Sequence, residues 1–210
     1  MTPRSSRYEV GLLLSLVVFL VLSGIHPHDF FTWVLEVFPI LIGAPILIWV
    51  YPRFRFTRLV YTLLWVHAII LMVGGHYTYA QVPLGFWMEH AFGFTRNHYD
   101  RALHFLYGLL VTPAAIDLVD ARAPTTRFWR WMLAVTFVNS HSVLYELVEW
   151  AAALVFGGDL RMAYLGTQGD IWDAQQDMFL AAVGSVIAAT WLCRRGRAGT
   201  GPMPHPGECA

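Results

Sequence analysis

Lysine is absent. All fourteen basic residues among the 210 are arginine, which excludes any mechanism that needs a lysine nucleophile or a Schiff base. The two cysteines, Cys193 and Cys209, lie at the end of the last hydrophobic segment and in the tail. They are too few and too peripheral for a disulfide framework or a thiolate metal site. Charge is scarce as well, at 13% of residues, and fourteen acids balance the fourteen arginines. With no net basic field, no nucleic-acid partner is expected. No internal repeat is visible, so the inverted-repeat build of many transporters finds no support. What the chain has instead is apolar bulk: 57% hydrophobic residues, with nine Trp, nine Tyr and fourteen Phe. That make-up belongs to a membrane protein.

The hydrophobic segments come in order. Arg4 and Arg7 precede an apolar run at 10–25, which reads as a signal peptide or a first anchor. The anchor is favoured, because no Ala-x-Ala-like site closes the run and five more segments follow. A second span is expected at 30–51, kinked by Pro39 and Pro45, and a third at 59–73, ending at Gly74-Gly75-His76. Residues 75–99 are less hydrophobic but rich in aromatics, Gly and His, and read as an interfacial lid. Further spans are expected at 100–118, 128–156 and 173–193. The Gly- and Pro-rich tail at 194–210 is expected to be disordered. The fold class is therefore an all-α, polytopic membrane bundle of six helices forming one domain at 1–193.

Arginine sets the orientation. Arg4, Arg7, Arg53, Arg55, Arg58, Arg122, Arg127, Arg130, Arg194, Arg195 and Arg197 fall on one side, and Arg96, Arg101 and Arg161 on the other. The positive-inside rule then puts both termini in the cytoplasm and the lid outside.

The last three spans carry polar groups at helical spacing, all expected in the outer third of the membrane. Asp100 and His104 are i, i+4, with Tyr107 continuing the stripe. Asn139, Ser142, Glu146 and Glu149 share a face, and Asp170, Asp173 and Asp177 stand at i, i+3 and i+7. Gly184 lies further along that side, where a small residue lets helices approach. Six carboxylates in one layer, Asp100, Glu146, Glu149, Asp170, Asp173 and Asp177, face Arg101, Arg96 and whatever His contributes. Protonation, pairing or metal capture must relieve them. Carboxylate with imidazole suits Mg²⁺, Mn²⁺, Zn²⁺ or iron, and a divalent ion is the expected cofactor. Without a metal, the same groups supply a general base and a proton donor. Each has a plainer reading too: Asp100 and Asp170 as helix caps, Glu146 and Glu149 as structural partners of Arg101, His76 and His104 as packing residues, and His67 as buried and neutral.

Gly169-x3-Asp173-x3-Asp177 matches half of the CDP-alcohol phosphotransferase signature. The other half is missing, since Asp117-Leu118-Val119-Asp120-Ala121-Arg122 lacks the glycine and the spacing, and that assignment is rejected. The chain resembles the YjdF family of small bacterial inner-membrane proteins. The likeness rests on Gly74-Gly75-His76-Tyr77-Thr78-Tyr79, Asn97-His98-Tyr99-Asp100-Arg101-x2-His104-Phe105, Tyr145-Glu146-x2-Glu149-Trp150 and Gly166-Thr167-Gln168-Gly169-Asp170-x2-Asp173-x-Gln175-x-Asp177-Met178. It implies a multi-pass inner-membrane protein and brings no agreed reaction. Asp100-x3-His104-Phe105 is also similar to a string in VanZ-like membrane proteins, which would imply a role near the cell envelope.

The leading expectation is a membrane-embedded enzyme acting at the outer leaflet on an amphipathic or lipid-linked substrate. Asp173, Asp177 and Glu149, with His104, would hold the metal; Glu146 or His76 would move a proton; Arg101 would bind anionic oxygens; Asp100 completes the set. The alternatives are a small transporter or proton-coupled permease, and a non-catalytic scaffold.

Overall fold

The computed structural model describes residues 6–123, 125–156 and 168–195. Every regular element among them is helical: α1 (Arg7–Ser23), α2 (Phe30–Val50), α3 (Arg58–Tyr77), a 3-10 turn at Tyr79–Gln81, α4 (Pro83–Phe92), α5 (Tyr99–Arg122), α6 (Arg127–Phe156) and α7 (Asp173–Arg195). Of these, α2, α3, α5 and α7 are long and apolar enough to cross a membrane. α1 has 17 residues, at the short end for a span, and α6 has 30. The expected lid folds as the 3-10 turn and α4, whose 10 residues are too short to span. α7 runs on through Arg194 and Arg195, past the expected limit of 193. The rest of the expected tail, 196–210, lies outside the described residues, as do residues 1–5 and most of the loop before α7.

Local chemistry sets the helix ends. The Asp29 carboxylate accepts from Thr32 N at 2.7 Å to cap α2, and the Thr57 hydroxyl accepts from Val60 N at 3.3 Å to cap α3. Pro83 opens α4, and Gly93 closes it in the left-handed region at φ 68°. α2 continues as one element past Pro39 and Pro45.

α5 is the centre of the bundle, packed on α3, α6 and α7, while α1 and α2 lean on α3. Small residues bring α5 and α7 together. A Cβ on Gly108 would strike the Ala181 carbonyl, and one on Gly184 would strike the Phe105 carbonyl and come within 2.9 Å of Leu109 N. Backbone therefore meets backbone along this seam, as small-residue stripes permit.

Polarity runs inside out. Val18, Ile46, Trp49, Leu144, Val155 and Phe179 are exposed, whereas Glu36, Asp100, Glu149 and Asp177 are buried. Such a surface would be unstable in water and suits hydrocarbon. The two ends of the bundle differ as well. At one end Arg53, Arg58 and Arg195 lie over the rings of Trp49, Tyr8 and Trp191. There Arg130 grips Asp120 with two 2.7 Å bonds and donates to the Leu192 carbonyl. Acids, histidines and the pair Arg96 and Arg101 gather at the other end.

Candidate functional site

Three helical stripes converge at that second end. On α5, Asp100 and His104 are one turn apart and buried. On α6, Ala134, Val138, Ser142, Glu146, Glu149 and Ala153 form a single buried face. On α7, Asp173 and Asp177 continue into Ala181 and Gly184. The close glycine seam is what lets short aspartates on α7 reach α5.

The acids divide into two tiers. In the outer tier Arg96 Nη1 lies 2.7 Å from Asp173 Oδ1, and Arg101 Nη2 lies 2.5 Å from Asp170 Oδ2 and 3.2 Å from Asp173 Oδ1. Gln176 Nε2 adds a 2.9 Å bond to Asp170. Gln168 exchanges two bonds with the Asn97 backbone, at 3.0 and 2.9 Å. Asn97 in turn accepts from Tyr99 N and donates to the Val82 carbonyl, both at 3.0 Å. This latch joins the start of α5 to the start of α7. The Trp172 backbone N–H, with Arg101 and Gln176, holds the Asp170 carboxyl below its ordinary range. Burial, then Arg101 and Arg96, lowers His98.

The inner tier is less well supplied with donors. One ligand atom each from Asp100, His104 and Asp177 lies within 4.8 Å of the other two. His104 Nε2 is 3.6 Å from Asp100 Oδ1 and 3.4 Å from Glu146 Oε1. Neither contact is a hydrogen bond, because the first is too long and the second is misaligned. Asp100 Oδ1, Glu146 Oε1, Asp177 Oδ1 and Ser142 Oγ are buried with no hydrogen-bond partner among the described residues. Such orphans are rare, because each forfeits about 1–3 kcal/mol of solvation, more if charged.

The expected site residues therefore separate. Asp100, His104, Glu146 and Asp177 come together, and Glu149 is buried on the same face of α6 as Glu146. Asp173, expected beside Asp177 on a metal, is instead held by two guanidiniums. Arg101 serves the latch. His76 stands elsewhere: its Nδ1 meets the Ser23 carbonyl at 2.9 Å and its own carbonyl accepts from His28 N at 2.8 Å, tying α3 to the end of α1.

Sequence reasoning passed over Glu36. It is 1% exposed in α2, its Oε1 accepts from Tyr79 N at 3.3 Å, and its Oε2 has no partner among the described residues. Burial, together with the Glu36, Asp100 and Glu149 carboxyls, pushes the Tyr79 phenol well above its usual range. Glu36 and Tyr79 therefore border the inner tier. The available signal was that Glu36 is the lone ionisable residue in an otherwise apolar α2.

An all-helical bundle, apolar outside and carrying buried acids within, defines an integral membrane protein. The chain belongs to the family described as "Predicted membrane protein (DUF2238)", whose model matches residues 8–198. It is 42% identical over 182 residues to the inner membrane protein YjdF of Escherichia coli (strain K12), covering 86% of this chain and 87% of that one. No solved structure matches. These matches place the chain in the inner membrane and carry the first of the two resemblances. The VanZ-like one stays a short string around Asp100 and His104.

Proposed function

We propose that this chain crosses the inner membrane six times with both termini in the cytoplasm, and that it is a metal-dependent enzyme acting at the outer leaflet on an amphipathic substrate. The arginine-rich end of the bundle supports the orientation, since arginine is retained on the cytoplasmic side. The observation that carries the chemistry is the inner tier: two carboxylates and an imidazole on two helices, each at least nine-tenths buried, with ligand atoms within 4.8 Å of one another and two carboxyl oxygens lacking donors.

A divalent cation held by Asp100, His104 and Asp177 satisfies those oxygens and neutralises the charge that their burial makes costly. It would polarise a carbonyl or phosphoryl oxygen of the substrate. Glu146, 3.4 Å from His104, is positioned to take up or deliver a proton, with Glu149 behind it. Arg96 and Arg101 close the chamber from outside and exchange Asp170 or Asp173 for anionic oxygens of the substrate head group. A permease would need a polar route through the inner half. Between α5, α6 and α7 that region is packed with Ala115, Ile116, Ala134, Val138 and Cys193, with no polar route among the described residues, which favours an enzyme.

The test is elemental analysis of the purified chain beside Asp177→Asn and His104→Gln. Stoichiometric metal in the wild type that disappears from both variants is expected. Equal trace metal in all three sinks the metal reading.

A further inference from the structure

A cavity of about 460 Å³ lies between α1, α2, α3 and α5, within the roughly 300–1,000 Å³ of pockets that take small ligands. Its walls are apolar, with Leu16, Ile40, Gly43, Leu64 and Ala68 among them. It also explains a packing anomaly in α3: every residue from position 61 to position 70 is only half-buried, although the helix lies between α1, α2 and α5.

Two observations decide what fills it. The flanking α2, α3 and α5 are long and apolar enough to cross a membrane, so the surrounding fluid is hydrocarbon. An apolar cavity holds water poorly, and a polar solute would lose its hydration there without recompense. The cavity also reaches the turn of α5 that follows His104. His67 and Tyr107 line it, with ring centroids 5.5 Å apart. Tyr107 lies one turn beyond His104 on α5. From that junction the cavity extends toward Tyr51 and Tyr61, at the arginine-rich end.

We propose that this cavity binds an acyl chain of a membrane lipid whose head group lies at Asp100, His104 and Asp177, which makes the substrate class an acyl lipid. The head-group end rests on the reading of the chamber as the reacting site. The tail end rests on the cavity alone.

Gly43 allows a clean test. A Cβ there meets nothing within 4 Å, so Gly43→Phe projects a ring into the cavity and replaces a poor helix former. Gly11 is equally open but does not line the cavity, so Gly11→Phe is the matched control, and Ala68→Phe is a second block. The full chain is reconstituted into vesicles of phosphatidylethanolamine and phosphatidylglycerol containing a trace of phosphatidylglycerol with a mid-chain diazirine. It is then irradiated and mapped by peptide mass spectrometry. Label is expected on Ile40, Ala44 and Ala68 in the wild type and in Gly11→Phe, and lost from Ile40 and Ala44 in both cavity-filling variants. Label confined to outward residues such as Ile46 and Trp49 overturns the proposal, as does cavity label that survives Gly43→Phe. A cavity labelled only by a diazirine-bearing polyprenyl phosphate overturns the acyl assignment. Asp177→Asn run in parallel separates the two readings: cavity label without bound metal leaves the tail site standing when the metal site has failed.

Discussion

Gly184→Ala is the smallest change that should dismantle the site without touching any of its ligands. The added methyl would meet the Phe105 carbonyl and lie 2.9 Å from Leu109 N. Both are backbone atoms inside a helix and have no rotamer in which to yield. α7 must therefore back away from α5 by about 1 Å, which is overpacking at the upper end of its range, about 3 kcal/mol. The alanine recovers about 1 kcal/mol of helix propensity over glycine. The net loss is then about 2 kcal/mol, roughly thirtyfold in the folded-to-unfolded ratio. A ligand constellation tolerates displacement of only about 0.5 Å, so the separation of Asp177 from Asp100 and His104 should abolish metal retention in protein that still folds. Unfolding in mixed micelles of rising denaturing-detergent fraction measures the first effect, and elemental analysis the second. Gly11→Ala, with nothing within 4 Å of its Cβ, should be neutral or stabilising by under about 1 kcal/mol. Gly184→Ala unfolding at the wild-type midpoint would refute the claim that this seam sets the spacing of the two helices.

Two other residues give independent checks. Glu36→Gln keeps an acceptor for Tyr79 N and should stay within about 1 kcal/mol of wild type, whereas Glu36→Ala opens a cavity and orphans that N–H at about 2–4 kcal/mol; equal unfolding midpoints for both variants and the wild type would show that this acceptor has no structural role. His98 binds its proton less readily in the folded chain than in the unfolded one, through burial and the neighbouring Arg101 and Arg96. The stability it supplies is complete above its ordinary value of 6.5 and declines as pH falls below that toward the depressed folded value. Hydrogen exchange at the start of α5 should quicken over that interval, and His98→Gln should flatten the response. An unchanged slope in the variant excludes His98 as its origin.

The helices were legible because each apolar run is long and bounded by arginine, proline or a capping residue, signals that survive without tertiary context. The pairing of acids with cations was not. Arg96 sits before α5 and Asp173 opens α7, so their 2.7 Å contact depends on how the two helix starts are brought together, which no local spacing records. Asp173 and Asp177 share a helix face, and spacing alone made them equivalent. Only the approach of α5 shows that one meets guanidinium and the other imidazole. Glu36 escaped notice because a lone acid barely alters the average of a long apolar window, although its burial is deeper than that of any acid considered. His76 meets a carbonyl of α1 through its imidazole, a contact between distant segments that local spacing does not record either.

The site draws its members from α5, α6 and α7, which leave the ribosome after α1 to α4, and this constrains biogenesis. On the proposed six-span topology, Glu146 and Glu149 reach the bilayer before Asp173 and Asp177 have emerged from the ribosome, each at an insertion penalty of roughly 2.5–3.5 kcal/mol if charged. α6 must therefore enter with those carboxyls protonated, or wait at the translocon until α7 arrives, so that the site closes only once α7 is in place.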